Sequence, residues 1–262
     1  MEMMNSDELS SLLSDLPVPA VRYLETTGST NDDALIWVEQ GAPDGALVAA
    51  NAQTRGRGRL DRIWLTPPGS ALAFSIILHP SEVEAQHLSL FSPLAALAVT
   101  DAMQTRLGIH AEIKWPNDVL IQRRKVAGIL TEGVWDGSIL KAVVIGIGIN
   151  ITRNSIPPED EISFPSDCVE SFTEHDVDRW QFLASTVGFC FEWRSWLGTL
   201  HFMETWQNRL AFRRERVQVL LPGEKMISGI LLCVDEEGSL CLETAPDEIQ
   251  TISAGDVHLR LE

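Results

Sequence analysis

The chain has 262 residues, 45% of them hydrophobic and 22% charged, so it can bury a sizeable core and is not a disordered segment. Twenty Lys+Arg stand against 37 Asp+Glu; the net charge of −17 repels phosphate backbones at long range, which argues against general nucleic-acid binding and leaves room only for a local basic patch. The acidic start Met1-Glu2-Met3-Met4-Asn5-Ser6-Asp7-Glu8 is not expected to serve as a signal peptide, and the most apolar stretch, Leu88 to Val99, is too short to span a bilayer.

Residues 6–15 read as a short amphipathic helix with Ser6 as its cap, followed by a strand over Val21–Glu25. Ser29-Thr30-Asn31 supplies capping side chains to a helix that runs to about Gln40 and stops at Gly41. Ala46–Asn51 is a strand of small residues, Gln53–Arg62 a loop rich in Gly and Arg, and Ala71–Leu78 a buried strand. A long helix is expected from Leu88 to Leu107, ended by Gly108, with Pro93 in its first turn or bending it. Ala111–Trp115, Val119–Gln122, Lys125–Trp135 and Ser138–Ile151 read as strands, with turns at Arg123-Arg124 and Asp136-Gly137. A loop over Thr152–Phe172 leads to helices at about 176–197 and 200–213. From Glu215 the pattern becomes short strands with turns at Pro222-Gly223, Glu236-Glu237-Gly238 and Ala254-Gly255, which suits a small barrel; the expected domains are 1–214 and 215–262. Cys168, Cys190, Cys233 and Cys241 contain no Cys-x-x-Cys pair and read as reduced, mostly buried thiols of a cytoplasmic protein.

There is no Walker phosphate loop, no Gly-x-Ser-x-Gly elbow and no His-Glu-x-x-His, and the dinucleotide fingerprint is incomplete at Gly146-x-Gly148. Four segments carry chemistry instead. Arg55-Gly56-Arg57-Gly58-Arg59-Leu60-Asp61-Arg62 packs four guanidinium groups into eight residues of an acidic chain, which suits a loop that takes carboxylate or phosphate; the plainer reading is a solvated turn. Lys114-Trp115-Pro116-Asn117-Asp118, with Lys125-Val126-Ala127-Gly128 after it, offers cations and one carboxylate suited to Mg²⁺, or else a packing corner. In Val143-Val144-Ile145-Gly146-Ile147-Gly148-Ile149-Asn150 the strand period puts the Ile on one face and Gly146, Gly148 and Asn150 on the other, a bare floor for a flat ligand or a close-packing surface. Thr26-Thr27-Gly28-Ser29-Thr30-Asn31 is a cap or a hydrogen-bonding site for a polar head group.

In order and spacing, Ser29-Thr30-Asn31, Gln53, Gly56-Arg57-Gly58-Arg59 with Trp64, Lys114-Trp115-Pro116-Asn117-Asp118, Lys125 with Ala127-Gly128, and Gly146-Ile147-Gly148-Ile149-Asn150 resemble the biotin protein ligases from about residue 21 to 151. Ile252-Ser253-Ala254-Gly255-Asp256-Val257 is similar to that family's C-terminal barrel. The resemblance implies an α/β (α+β) fold: a mixed sheet with helices on one side, akin to class II aminoacyl-tRNA synthetases, and an SH3-like barrel. It implies that biotin and Mg·ATP give biotinyl-5′-adenylate, whose acyl group passes to a lysine of a biotin carboxyl carrier domain. Ser29, Thr30, Asn31, Gln53 and Gly128 are then expected around biotin, with Arg57, Gly58, Arg59 and Lys125 at its carboxylate and the α-phosphate. Trp64, Lys114, Asn117 and Asn150 fall to the nucleotide, and Asp118 to the Mg²⁺ side. Lys125, Arg57 and Asp118 are the expected catalytic residues.

Asp61 departs from the family's usual Gly and is expected to pair with Arg57, Arg59 or Arg62 in the empty site. About 20 residues precede Val21, too few for the helix-turn-helix domain of family members that act as repressors, so the expectation is a monofunctional ligase, monomeric or weakly dimeric, with no nucleic acid or membrane partner. The rivals are a lipoate or octanoate ligase or transferase of the same fold, and a biotinyl-adenylate-binding regulator. The arginine loop is expected to be mobile when empty, because four like charges repel until an anion arrives.

Overall fold

The computed structural model describes residues 4–60, 62–158, 164–221, 223 and 225–259, and the side chains up to 255. The expectations for Asp61 and Pro222 therefore lie outside the described residues.

Helix α1 (Ser6–Leu12) is capped by Asn5, not by Ser6: the Asn5 side chain accepts from Asp7 N–H and Glu8 N–H, and Glu8 returns a bond to Asn5 N–H. Strand β1 (Val21–Thr27) leads to α2 (Thr30–Glu39), β2 (Leu47–Gln53) and β3 (Ala71–Leu78). A four-residue helix α3 (Glu82–Ala85), which no hydrophobic period announced, precedes α4 (Phe91–Leu107). Pro93 sits in the first turn of α4, where its missing N–H costs nothing, and Gly108 ends the helix at φ 67°. Four strands follow: β4 (Glu112–Lys114), β5 (Asp118–Ile121), β6 (Arg124–Asp136) and β7 (Ile139–Asn150). The turn into β6 sits at Gln122 and Arg123, both at positive φ, one residue earlier than the sequence suggested. Helices α5 (Arg179–Ser195) and α6 (Leu200–Asn208) complete this part.

These strands form one mixed seven-stranded sheet, β1-β2-β3-β7-β6-β5-β4, in which only β1 and β2 run parallel. Alternation decides what each face meets. Leu72, Phe74, Ile76 and Leu78 of β3, with Val143, Ile145, Ile147 and Ile149 of β7, join the large core under α4 and α5. Each fully buried Leu, Ile or Phe there contributes roughly 1.5–3 kcal/mol. On the opposite face Ile77 and Val144 pack with Ala34 of α2, Ala46 and Val48. Helices thus cover both faces rather than one. Where α2 begins, the second face is left to Ala73, Ser75, Gly146 and Gly148, and that is where the site opens.

The C-terminal strands β8 (Arg216–Leu220), β9 (Met226–Val234), β10 (Leu240–Ala245), β11 (Glu248–Ile252) and β12 (Asp256–Leu259) form an antiparallel sheet, β11-β10-β9-β8-β12. Its β9–β10 turn docks on the first sheet's end: Trp115 Nε1 donates to Gly238 O at 2.9 Å and Ser89 Oγ to Glu237 O at 2.7 Å. Cys233 and Cys241 face each other across β9 and β10 as free thiols, and burial with the neighbouring Cys233 pushes the Cys241 thiol up to about 11. Among the described residues no helix is long and apolar enough to cross a membrane.

Candidate active site

A cavity of about 560 Å³ lies on the α2 face of the sheet, roofed by the segment between β2 and β3. Its lining brings together Ser29, Thr30, Asn31, Gln53, Arg57, Gly58, Arg59, Trp64, Lys114, Asn117, Asp118, Lys125, Gly128 and Asn150. These are all the site residues expected from the sequence, drawn from positions up to 121 apart in the chain.

At one end the groups are uncharged. Ser29 precedes α2 but its side chain makes no capping bond, contrary to the expectation that this tripeptide caps the helix. Thr30 and Asn31 turn inward instead. Thr30 N–H donates to Gln53 Oε1 at 2.8 Å, and the Thr30 hydroxyl does so at 3.2 Å. Gln53 Nε2 donates to Thr66 Oγ1 at 3.1 Å, which fixes the amide orientation. Ser75 Oγ donates to Asn31 Oδ1 at 2.6 Å and lies 2.9 Å from Thr30 Oγ1. Asn31 Nδ2 donates to Glu132 Oε2 at 2.7 Å and to Leu130 O at 3.2 Å.

The floor is not bare, as the glycine pattern alone suggested. A side chain at Gly146 would run into the Asn31 amide, and one at Gly148 into the Trp64 indole. Each glycine is the seat of a side chain that arrives from elsewhere. Trp64 Nε1 is buried there with no hydrogen-bond partner. Gly148→Ala should therefore lift Trp64 off the floor and destabilise the fold by about 1–3 kcal/mol. Thermal melting and tryptophan emission would read this, and a variant with wild-type melting and emission would show that the ring does not depend on that seat.

The other end is cationic. Lys125 Nζ stands 5.6 Å from the Trp64 ring centroid and 2.6 Å from Asp118 Oδ1. Lys114 Nζ is 3.1 Å from Asp118 Oδ2, its side chain only 2% exposed, and it lies 5.0 Å from the Phe164 ring centroid. Burial alone would raise the Asp118 pKa, but the two ammonium groups outweigh it and hold the carboxyl below its usual value. Both ammonium groups converge on this one carboxylate. Arg59 Nη1 donates to Asn117 Oδ1 at 3.3 Å, while Asn117 Nδ2 donates to Ile129 O at 2.7 Å. Asn150 Nδ2 donates to Asp167 O at 3.1 Å.

Asp118 does not fit the metal-side role expected for it. Both its oxygens are held by lysine ammonium groups, and a divalent cation would have to displace them. Among the described residues no group of three or more His, Cys, Asp or Glu could hold a metal ion.

Arg57 also differs from expectation. Its Nη1 and Nη2 donate to Glu132 Oε1 and Oε2 at 3.0 and 2.7 Å, and Nη2 is 2.8 Å from Asp32 Oδ1. Burial works against its charge, but bonds to Glu132 and Asp32 raise its pKa above the ordinary arginine value. The arginine loop thus has internal counter-charges, and its backbone is tied by Gly58 N–H to Arg62 O and Trp64 N–H to Gly56 O at 2.7 and 2.8 Å. The premise that its cations lack partners until an anion arrives does not hold. Sequence reasoning missed Glu132, Asp32 and Ser75. Period two on β6 places Glu132 on the face of Gly128 and was the one available signal.

The sequence profile of the Biotin/lipoate A/B protein ligase family matches residues 23–150, and that of the Biotin protein ligase C terminal domain matches 215–260. A biotin--[acetyl-CoA-carboxylase] ligase of Paracoccus denitrificans is 35% identical over 245 residues, 89% of this chain and 98% of that protein. This chain belongs to the biotin protein ligases. A bifunctional ligase/repressor of Bacillus spizizenii is 33% identical, over 90% of this chain and 73% of its own length. The biotin protein ligase from Aquifex aeolicus, solved in complex with biotin and ATP, superimposes with a TM-score of 0.78 at 29% identity, covering 93% of this chain and 100% of that one. The chain is therefore an enzyme, a ligase, and the mixed sheet with a separate C-terminal sheet is the fold of its relatives. The reading as a lipoate or octanoate enzyme is not favoured, since these relatives are biotin ligases.

Proposed function

We propose that this ligase joins biotin to ATP in the cavity and passes the acyl group to a lysine of a biotin carboxyl carrier domain. The observation that supports this most is the cavity's two-ended chemistry. Along β7, Asn31 covers Gly146, Trp64 covers Gly148, and Asn150 follows, a progression of roughly 6–7 Å per pair of residues. One end is lined by the uncharged side chains of Ser29, Thr30, Asn31 and Gln53; the other gathers Lys114, Lys125 and Arg59. A slender acid with a neutral polar head fits that polarity. With the Thr30 hydroxyl donating to Gln53 Oε1, Thr30 Oγ1 has lone pairs that can accept a ligand N–H.

In the first step a biotin carboxylate oxygen attacks the α-phosphorus of ATP. The bond to the bridging oxygen breaks, and pyrophosphate leaves. Carboxylate and triphosphate repel, and charge grows on the phosphoryl oxygens, so fixed Lys125 and Arg59 stabilise the transition state more than the separated reactants. No covalent nucleophile is required. Mg²⁺ would arrive with ATP as part of the substrate and would offset charge on the triphosphate. In the second step the neutral carrier lysine attacks the acyl carbonyl, AMP leaves, and the amine's proton goes to solvent. Ser29, Thr30, Asn31, Gln53 and Gly128 surround biotin; Trp64, Lys114, Asn117 and Asn150 border the nucleotide.

We further propose a division into 1–214, which carries the cavity, and 215–262, supported by the separate sheets; action in the cytoplasm, supported by the free thiols; and a monomer or weak homodimer. Pyrophosphate exchange driven by biotin, but not by lipoate or octanoate, tests the first step. A mass gain of one biotinyl group on an apo carrier domain tests the second. Exchange supported equally by lipoate would sink the substrate assignment.

A further inference from the structure

We propose that Glu132 is the positioning residue that holds the arginine loop over the cavity, by clamping the Arg57 guanidinium and the Asn31 amide on one carboxylate. Strand β6 presents Gly128, Leu130 and Glu132 on the cavity face. The Glu132 carboxylate takes three N–H groups: two parallel bonds from Arg57 and one from Asn31 Nδ2, the last at 2.7 Å on the same Oε2 that receives Arg57 Nη2. A bidentate pair fixes orientation as well as charge. Beside this clamp, Arg59 Nη1 reaches Asn117 Oδ1 at 3.3 Å, near the long end of the hydrogen-bond range. Leu60 and Ile63 are 69% and 74% exposed, while Trp64 is seated in the floor. Asp32 adds a second contact to Arg57, but its side chain is 48% exposed and it takes one bond only.

The clamp ties the arginine loop to the uncharged end of the site. Arg57 holds the loop, Glu132 holds Arg57 and Asn31, Ser75 holds Asn31, and Thr30 beside it holds Gln53, the residue from which the loop departs. A ligand that fixes Thr30 and Asn31 therefore also fixes Glu132 and, through it, the loop. The loop then retains the reactive mixed anhydride and keeps water from it. The clamp itself is a property of the ligand-free protein; its consequence for the intermediate rests on the ligase reading above.

Hydrogen exchange of the ligand-free protein at the Gly58 and Trp64 amides tests the clamp in a double-mutant cycle. Glu132→Gln should raise both exchange rates about tenfold, and should add nothing in an Arg57→Ala background. Arg57→Lys, which keeps the charge but cannot make two parallel bonds, should loosen the loop as well. This second variant decides the matter if Glu132→Gln does not fold. In the reaction, Glu132→Gln should release the acyl-adenylate to solvent about tenfold faster, with a larger effect on KM for biotin than on kcat. Wild-type exchange in Glu132→Gln, or equal increments with and without Arg57, would overturn the clamp. A wild-type protein that forms no acyl-adenylate would instead sink the ligase reading and leave the exchange result standing.

Discussion

Lys125→Ala should lower acyl-adenylate formation by about 10²–10³-fold while the melting temperature falls by only a few degrees. The rate effect follows from geometry. Lys125 is the cation beside the Trp64 ring, its side chain 21% exposed toward the cavity, where the carboxylate and the α-phosphate would meet. Removing a fixed cation from a site of developing negative charge costs about 3–4 kcal/mol of barrier. The small stability effect follows from the pairing. Asp118 has two ammonium partners, so loss of Lys125 leaves it with Lys114 at 3.1 Å rather than alone. Pyrophosphate exchange and thermal melting on the same preparation separate the two effects. A folded Lys125→Ala protein with full exchange activity would remove Lys125 from the adenylation step.

Asp118→Asn should do the reverse damage and act on folding first. It keeps the side chain's shape but withdraws the negative charge that stands between two ammonium groups, one of them on a side chain 2% exposed. Breaking a buried pair by removing one partner costs about 3–5 kcal/mol, which at this chain length is roughly 6–20 °C in melting temperature. The pH dependence has a definite sign. The folded-state pKa of Asp118 is depressed, so its stabilisation is fully present above the unfolded carboxylate value of about 3.9 and is lost as pH falls through the folded value. Wild type should lose this contribution on the acid side, below about pH 4, and Asp118→Asn should lack that limb. Melting curves from pH 3 to 8 for both proteins would show it. Matching melting temperatures and matching acid limbs would mean that the two lysines find other partners when Asp118 is neutral.

Much of this was written locally. Strand β3 runs over Ala71–Leu78, as its apolar run between turn residues indicated, and the alternation in Val143–Asn150 separates an Ile face in the core from a Gly face on the cavity. Those patterns are legible because side-chain direction in a strand depends only on parity. Parity does not say what arrives on the face. Trp64 and Asn31 fill the glycine floor because the loop after β2 and the start of α2 happen to reach it, and no local pattern encodes that distance.

The same limit explains the cap and the carboxylates. Ser29-Thr30-Asn31 has the composition of a helix start, and α2 does start there, but Gln53, Ser75 and Glu132 compete for the side chains and win. Asp118 in a turn looks like a metal ligand until β4 and β6 bring a lysine to each of its oxygens. By itself the sequence determined which faces are buried, where the chain turns and which residues line the cavity. The tertiary structure alone decided how those residues are paired, because a hydrogen bond depends on tenths of an ångström between groups such as Arg57 and Glu132, 75 positions apart in the chain.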